Sequence, residues 1–504
     1  MNMMKKYSVV IYSFLALSLL ACEDKLDQFP LSDASAANFY RNAADFEQAV
    51  NGVYGQLRPV PERYYDLSET RSDNVYGSST TGVRPWDPVN DFVNTLENNE
   101  LIAEAWNNNF NGIMRANTVL DRLDPGLVPE EAIRNRFEGE TRFLRAFYYF
   151  DLVRWFGRVP LYDRVVTPTE ALEIPRSSVQ EVYDLILSDL NRAIELLPPT
   201  YNAANKGRVT SWAAKALLAR VHLTRSGHTY GIDGPGVAAN EYSQALTLLN
   251  DVIDNGPFSW VNSYASIFSY NNENNPDIVF DVQFQSGQIG IGTTLPGYMG
   301  TPAYFNTLSG NIALPQSSVE MREVSKNLIN SYEANDARLA VTVQRSFTDP
   351  NGFVETRGFY RKFLDETATI LDRFDWPINF PLIRLTDVMM MKAEAILQGA
   401  SGGSQQEVDN IVNMVRTRAG LTPLANVTLD VLLDERRREF AGEGLRWHDL
   451  VRTGKVKEVM DAWLPTEDEL NRMQESMNIN FVIYPIPFTQ LTVKEGLYQQ
   501  NPGY

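Results

Sequence analysis

The hydrophobic positions of the chain recur mostly with a helical period. Val179, Val182, Tyr183, Ile186, Leu187, Leu190, Ile194 and Leu197 fall three and four residues apart, so they share one face of a helix. Ser177 with Gln180, and Ser178 with Glu181, offer two overlapping capping boxes at its start, and Pro198-Pro199 closes it. The same kind of pattern predicts helices over 36–57, 209–224, 242–253, 382–397, 405–419 and from 429 to about 451. Gly256 stands just past one of them as a cap. Ala213, Ala214, Ala216 and Ala219 place small residues where a second helix can approach, and such pairs resemble tetratricopeptide units.

Residues 146–156 depart from the amphipathic pattern, because only Asp151 and Arg154 are charged there. A helix apolar on every side has to be covered on several, so this segment is the expected centre of the core. A carbohydrate platform built from its aromatics is the alternative. Between 256 and 379 the helical pattern fades into short alternating runs such as Asp277 to Val282, set among Gly, Asn, Ser and Pro. Residues 60–100 are similarly loop-like. Long loops held on a rigid helical scaffold are where binding groups concentrate.

The N-terminus has a different pattern. Lys5 and Lys6 precede an apolar run from Val9 to Ala21, too short to span a bilayer but suited to a secretory signal. It ends in Leu19-Leu20-Ala21-Cys22, which resembles a bacterial lipobox, and Cys22 is the single cysteine of the chain. The expectation is a signal peptide over 1–21, an acylated Cys22 and a short tether over 22–35. Several acyl chains suffice for stable anchoring without a membrane span.

Composition narrows the chemistry. The 504 residues exceed what one core usually supports, so two lobes are expected. A net charge of −18, from 63 acids against 45 bases, argues against nucleic acid as the partner. One cysteine and three histidines exclude disulfide frameworks, iron–sulfur sites and multi-cysteine zinc sites. Glu435, Glu439 and Glu443 would share a helix face and invite a glycosidase reading, yet Arg436, Arg437, Arg438 and Arg446 beside them predict an ion-paired surface. His448 and Asp449 are adjacent and point apart; His222 and His228 lack helical metal-site spacing. The Gly-x-Ser-x-Gly at 399–403 follows a helix where a nucleophile elbow needs a strand, so it reads as a turn. Residues 271–277 hold oxygen ligands suited to calcium, but an Asn-rich turn accounts for them. No metal or cofactor is predicted.

The C-terminal third carries a resemblance. Glu435-Arg-Arg-Arg-Glu-Phe-Ala-Gly-Glu-Gly-Leu-Arg-Trp-His-Asp-Leu-Val-Arg-Thr-Gly454 is similar to the signature of the SusD/RagB family of outer-membrane nutrient-binding lipoproteins. The segments at 381–388 and 412–421, Tyr484-Pro485-Ile486-Pro487 and the ending Asn501-Pro502-Gly503-Tyr504 resemble that family as well. The resemblance implies a mainly α fold: a tetratricopeptide-like array of helix pairs cradling an irregular, loop-rich subdomain with a few short strands. The helical regions would be 36–255, with a loop insertion at about 60–100, and 381–504; the variable subdomain would be 256–380. It also implies a non-catalytic lipoprotein of the outer membrane, facing the cell surface. Such a protein captures oligosaccharides, or sometimes peptides, and delivers them to a SusC-like TonB-dependent transporter by hinged opening. A surface glycoside hydrolase and a transporter-stabilising subunit with little glycan affinity are the alternatives.

Sugar recognition needs aromatic faces for the C–H side of a pyranose and planar amides or carboxylates for its hydroxyls. Asp73, Asn74, Tyr76, Arg84, Trp86 and Asp87 form the first candidate group, within a polar loop. Tyr298, Tyr304 and Phe305 form the second, among glycines. Trp376 and Trp260 are further candidates. No binding residue is carried over from the family.

Overall fold

A computed structural model describes residues 39–80, 82–308 and 321–504; the expected signal segment 1–21, Cys22 and the tether 22–35 lie outside them. Asn42 opens the first long helix, α1 (Ala43–Tyr54), by accepting from the N–H groups of Ala44 and Asp45, later than the pattern from 36 suggested. Helices α2 (Glu100–Arg122), α3 (Glu131–Phe156), α4 (Val179–Leu196), α5 (Ser211–Ser226) and α6 (Tyr242–Asn255) then pack each against the next. The array resumes after the irregular region: α6 packs on α7 (Leu385–Leu397), and α7 on α8 (Gln405–Arg418). The fold is therefore mainly α, with helix pairs flanking an inserted subdomain.

Local sequence explains the element ends. Ser178 caps α4 with both halves of its box formed, while Ser177 is taken by a two-residue strand against Val159. Pro198 follows α4 closely. Helix α3 runs through the middle, and every residue from Leu144 to Phe156 is buried. Its aromatics are core, so a carbohydrate platform there is excluded. Gly112 on α2 lets α3 come close, since a Cβ there would lie 2.4 Å from the Tyr148 ring.

Within the insertion, β1 (Ile278–Val282) pairs antiparallel with β2 (Phe380–Arg384), which leads straight into α7. That strand is why α7 starts at Leu385 and not at 382. A second short pairing, Val75 with Val324, ties the loop after α1 to the insertion.

The segment expected as one helix from 429 to 451 is two, α9 (Leu429–Phe440) and α10 (Arg446–Arg452), followed by α11 (Val456–Glu467). Gly442 and Gly444 break it at φ +84° and +75°, and a Cβ on Gly444 would lie 2.5 Å from Tyr64. Glu443 therefore sits in the break, off the helix of Glu435 and Glu439.

The charges around it are not a surface, as the sequence suggested, but an interior network. Glu439 is fully buried and pairs with Arg418 (2.7 Å), Arg384 (3.2 Å) and Arg338 (3.5 Å). Glu435 pairs with Arg338 (2.6 Å), Arg438 (2.9 Å) and Arg416 (3.1 Å). Glu443 holds Arg384 (2.8 Å) and Lys362 (2.6 Å). Burial pushes the Glu439 carboxyl up, and Arg418, Arg384 and Arg338 together override it and hold it below the usual range. Burial also opposes ionisation of Asp387, but Arg220 and Arg436 bring it down to about 2.

This has a pH signature. A carboxylate lowered on folding stabilises the native state above its unfolded pKa and loses that contribution as pH falls through the folded value. Asp387 alone then supplies about 2 kcal/mol, lost between roughly pH 4 and 2. Asp449 and Asp73 are lowered in the same sense. Circular dichroism should show acid unfolding in that window, moved to higher pH in Asp387→Asn; an unmoved midpoint would refute the assignment.

Candidate functional site

Three segments meet around Arg322. The short helix Val60–Tyr64 and the wide turn after it carry Glu62, Tyr65 and Asp66. The loop 77–91 carries Arg84 and Trp86. The short helix Leu295–Met299 packs on Val60–Tyr64 and carries Tyr298. The Arg322 guanidinium lies 3.7 Å from the Tyr65 ring centroid and 4.9 Å from that of Trp86, and it pairs with Asp66. Its charge is thereby neutralised where it supports the indole.

Short polar side chains shape the Trp86 loop. Asp87 accepts from the Ser79 hydroxyl (2.7 Å) and from the N–H groups of Ser79 and Arg84. Asn90 accepts from the Gly77 N–H at 2.7 Å, and Asp91 from the Ser78 hydroxyl at 2.7 Å. These bonds commit Asp87 to structure and leave Trp86 half-buried at the loop end. Its Nε1–H has no acceptor among the described residues, and neither has the Nε of Arg84. A shielded donor left unpaired costs about 1–3 kcal/mol.

Tyr298 is 40% exposed, with its ring 5.0 Å from Phe374, itself 39% exposed. Arg373 lies over Phe374 at 4.6 Å and donates to the Gly297 carbonyl at 3.2 Å. Burial raises the Tyr298 phenol, Glu62 and Asp66 raise it further, and Arg322 and Arg373 oppose them, so Tyr298 shares the electrostatic environment of the Trp86 support. Burial, followed by Asp66, pushes the Glu62 carboxyl to about 8. At neutral pH Glu62 is therefore protonated and able to donate as well as accept. The face combines open aromatic rings, a neutral carboxyl and an ion-paired guanidinium. It has no nucleophile–base arrangement, and among the described residues no group of His, Cys, Asp and Glu could hold a metal ion.

The other sequence candidates lie inside. Asp73 is buried between Arg446 (2.8 Å) and Arg437 (3.2 Å). Asn74 bridges Glu69 and Arg437, each at 2.9 Å. Tyr76 is 7% exposed and donates to Asp468. Tyr304 packs on Phe347 and Phe359 and binds Glu366 through its hydroxyl. Trp376 is fully buried and donates to the Arg373 carbonyl. Side chains so enclosed cannot stack on a sugar, which corrects their assignment to a ligand surface. Trp260 stands apart beneath Arg418 at 4.0 Å.

The chemical motifs read as turns hold up as turns. Ser401 joins α7 to α8, its hydroxyl 2.9 Å from that of Ser243. Asn272 and Asn275 bond nearby backbone carbonyls, and Asp277 is buried against Arg384 and Thr386. His448 is buried and lies 3.2 Å from the Ser68 hydroxyl; burial, then Arg154 and Arg452, pushes it well below its usual range. Sequence reasoning missed Glu62, Asp66, Arg322 and Phe374. Asp66 and Arg322 are 256 residues apart and no local pattern joins them. Phe374 carried one signal, its place between two charged residues, Arg373 and Asp375.

Residues 24–223 match a family described as "Starch-binding associating with outer membrane", and residues 264–504 match the SusD family. A SusD-like protein of Formosa agariphila is 25% identical, the alignment covering 99% of this chain and 100% of that one. A solved laminarin-binding SusD-like protein is 27% identical, with a TM-score of 0.75 over 92% of this chain and 100% of the other. Surface glycan-binding protein A from Bacteroides uniformis is 25% identical over the same shares, also with a TM-score of 0.75. Among the described residues, no helix is long and apolar enough to cross a membrane.

Proposed function

The chain belongs to the SusD/RagB family, and from that premise we propose that it is a non-catalytic glycan-binding protein of the outer membrane that captures oligosaccharides at the Trp86–Tyr298 face. One observation supports this reading: exposed Tyr298 and half-buried Trp86 share one polar environment through Arg322, Asp66 and Glu62. Apolar ring faces take the C–H side of a pyranose, while Glu62 supplies a partner for its hydroxyls. Delivery to a SusC-like TonB-dependent transporter, and attachment through acylated Cys22, belong to the same proposal and rest on the family and the lipobox-like start. Tethering raises the effective concentration beside such a transporter, so modest affinity suffices.

Catalysis at the paired carboxylates is disfavoured physically. A glycosidase acid needs a raised pKa and an approachable proton. Glu435 and Glu439 are buried, locked by arginines and held down. The laminarin-binding relative suggests the first probe. The purified chain titrated with laminari-oligosaccharides should show saturable heat and release no new reducing ends. Reducing ends that increase with time in repurified protein would overturn the binding-only reading.

A further inference from the structure

A second concavity opens between α2, residues 160–162 and the C-terminal residues 490–498, with a volume of about 360 Å³. Its apolar lining is aromatic. Trp106 and Phe110, one turn apart on α2, have ring centroids 5.0 Å apart, and Tyr162 stands edge-on to Phe110 at 5.7 Å. The Tyr162 hydroxyl lies 3.4 Å from that of Tyr498 across the cavity wall.

Its polar lining is amide. Asn107 and Asn111 reach it from the exposed side of α2, and Gln490 from the C-terminal segment. Neither these three side chains nor the Trp106 Nε1–H makes a hydrogen bond to another described residue, whereas Asn109, on the buried side, donates to the Ala105 carbonyl. No lining residue is charged.

The groove thus sets partly exposed rings directly beside exposed amides, with no charged side chain among its lining residues. The partly exposed rings of Phe110 and Tyr162, backed by buried Trp106 and Tyr498 and set beside the exposed amides of Asn107 and Asn111, match what a pyranose presents: an apolar C–H face and adjacent hydroxyls that each donate and accept. An anionic sugar would find no cation to pair with and would pay for desolvation. The volume is at the small end of the roughly 300–1,000 Å³ typical of small-molecule sites, enough for one or two sugar units. We infer that this concavity is a second saccharide site, specific for short neutral saccharides. It does not depend on the Trp86–Tyr298 face.

The test uses purified full-length chain and saturation-transfer NMR with glucose, galactose, mannose, xylose, N-acetylglucosamine, cellobiose and glucuronate. Trp86→Ala/Tyr298→Ala serves as the background, so that the first face is silent. At least one neutral sugar should still receive signal there, and adding Asn107→Ala/Asn111→Ala should weaken its apparent Kd at least tenfold; glucuronate should receive none. Asn107 and Asn111 are exposed, and an unchanged melting temperature would confirm that the variant is folded. Loss of all transfer in the background variant would overturn this inference and leave the Trp86–Tyr298 reading standing. An apparent Kd left unchanged by the asparagine substitutions would also overturn it. Transfer unaffected by Trp86→Ala/Tyr298→Ala but abolished by the asparagine pair would instead remove the first face and keep the second.

Discussion

Glu439→Ala lowers the unfolding free energy by about 3–5 kcal/mol, read as a shift of the urea midpoint. The loss does not come from a missing attraction alone. Glu439 answers Arg418, Arg384 and Arg338 at once, and none of these guanidiniums can reach water when the carboxylate goes. Arg384 keeps Glu443 and Asp277, and Arg338 keeps Glu435 and Asp336. Arg418 keeps no other carboxylate among the described residues; it retains the Val261 carbonyl and the Thr386 hydroxyl. An uncompensated buried charge therefore remains. Glu439→Gln should recover little, because it keeps the shape and removes the charge. The control is Glu458, 73% exposed beside Lys455, where alanine should change stability by less than about 1 kcal/mol. Equal effects at the two positions would refute the buried-network account.

Trp86→Ala and Tyr298→Ala should each weaken oligosaccharide binding about tenfold by titration calorimetry, and the double variant by more than either alone. Each removes one aromatic wall, and because the two share the Arg322 environment their effects need not add. The variants differ in what else they disturb. Tyr298 is 40% exposed, so its truncation should leave melting unchanged; Trp86 supports Arg322, so its loss should cost some stability as well. Unaltered affinity in both would withdraw the site while leaving family and fold in place.

Much of the scaffold was legible because helix faces repeat locally. The α4 face and its Ser178–Glu181 box could be read within twenty residues, and both formed. The failures share a cause, which is that sequence separation hides burial. Glu435 and Glu439 looked like a solvated helix stripe because their counter-charges, Arg338 and Arg384, come from up to about a hundred residues upstream. Asp73 looked like a ligand group in a polar loop because Arg446 lies 373 positions away. Trp86 was recognisable as a tryptophan without a local core partner; what supports it, Arg322, was not. Gly442 and Gly444 split the predicted 429–451 helix through a left-handed backbone that hydrophobic periodicity alone does not reveal.

The wide spacing of the interior charges also bears on how this polypeptide is made. A nascent chain halted before Glu435 has already emitted Arg338, Arg384, Arg416 and Arg418; Asp336, Asp277 and Glu333 are then in place for the first three, but Glu435, Glu439 and Glu443 are not, and Arg418 then has no carboxylate at all among the described residues. Asp73, nearly the whole molecule earlier, waits for Arg437 and Arg446. The helical array ahead of the insertion can condense early, but the centre stays electrically unfinished until residues 435–446 emerge. Completion is thus gated by that segment, and a truncation just before it should be as damaging as an early one.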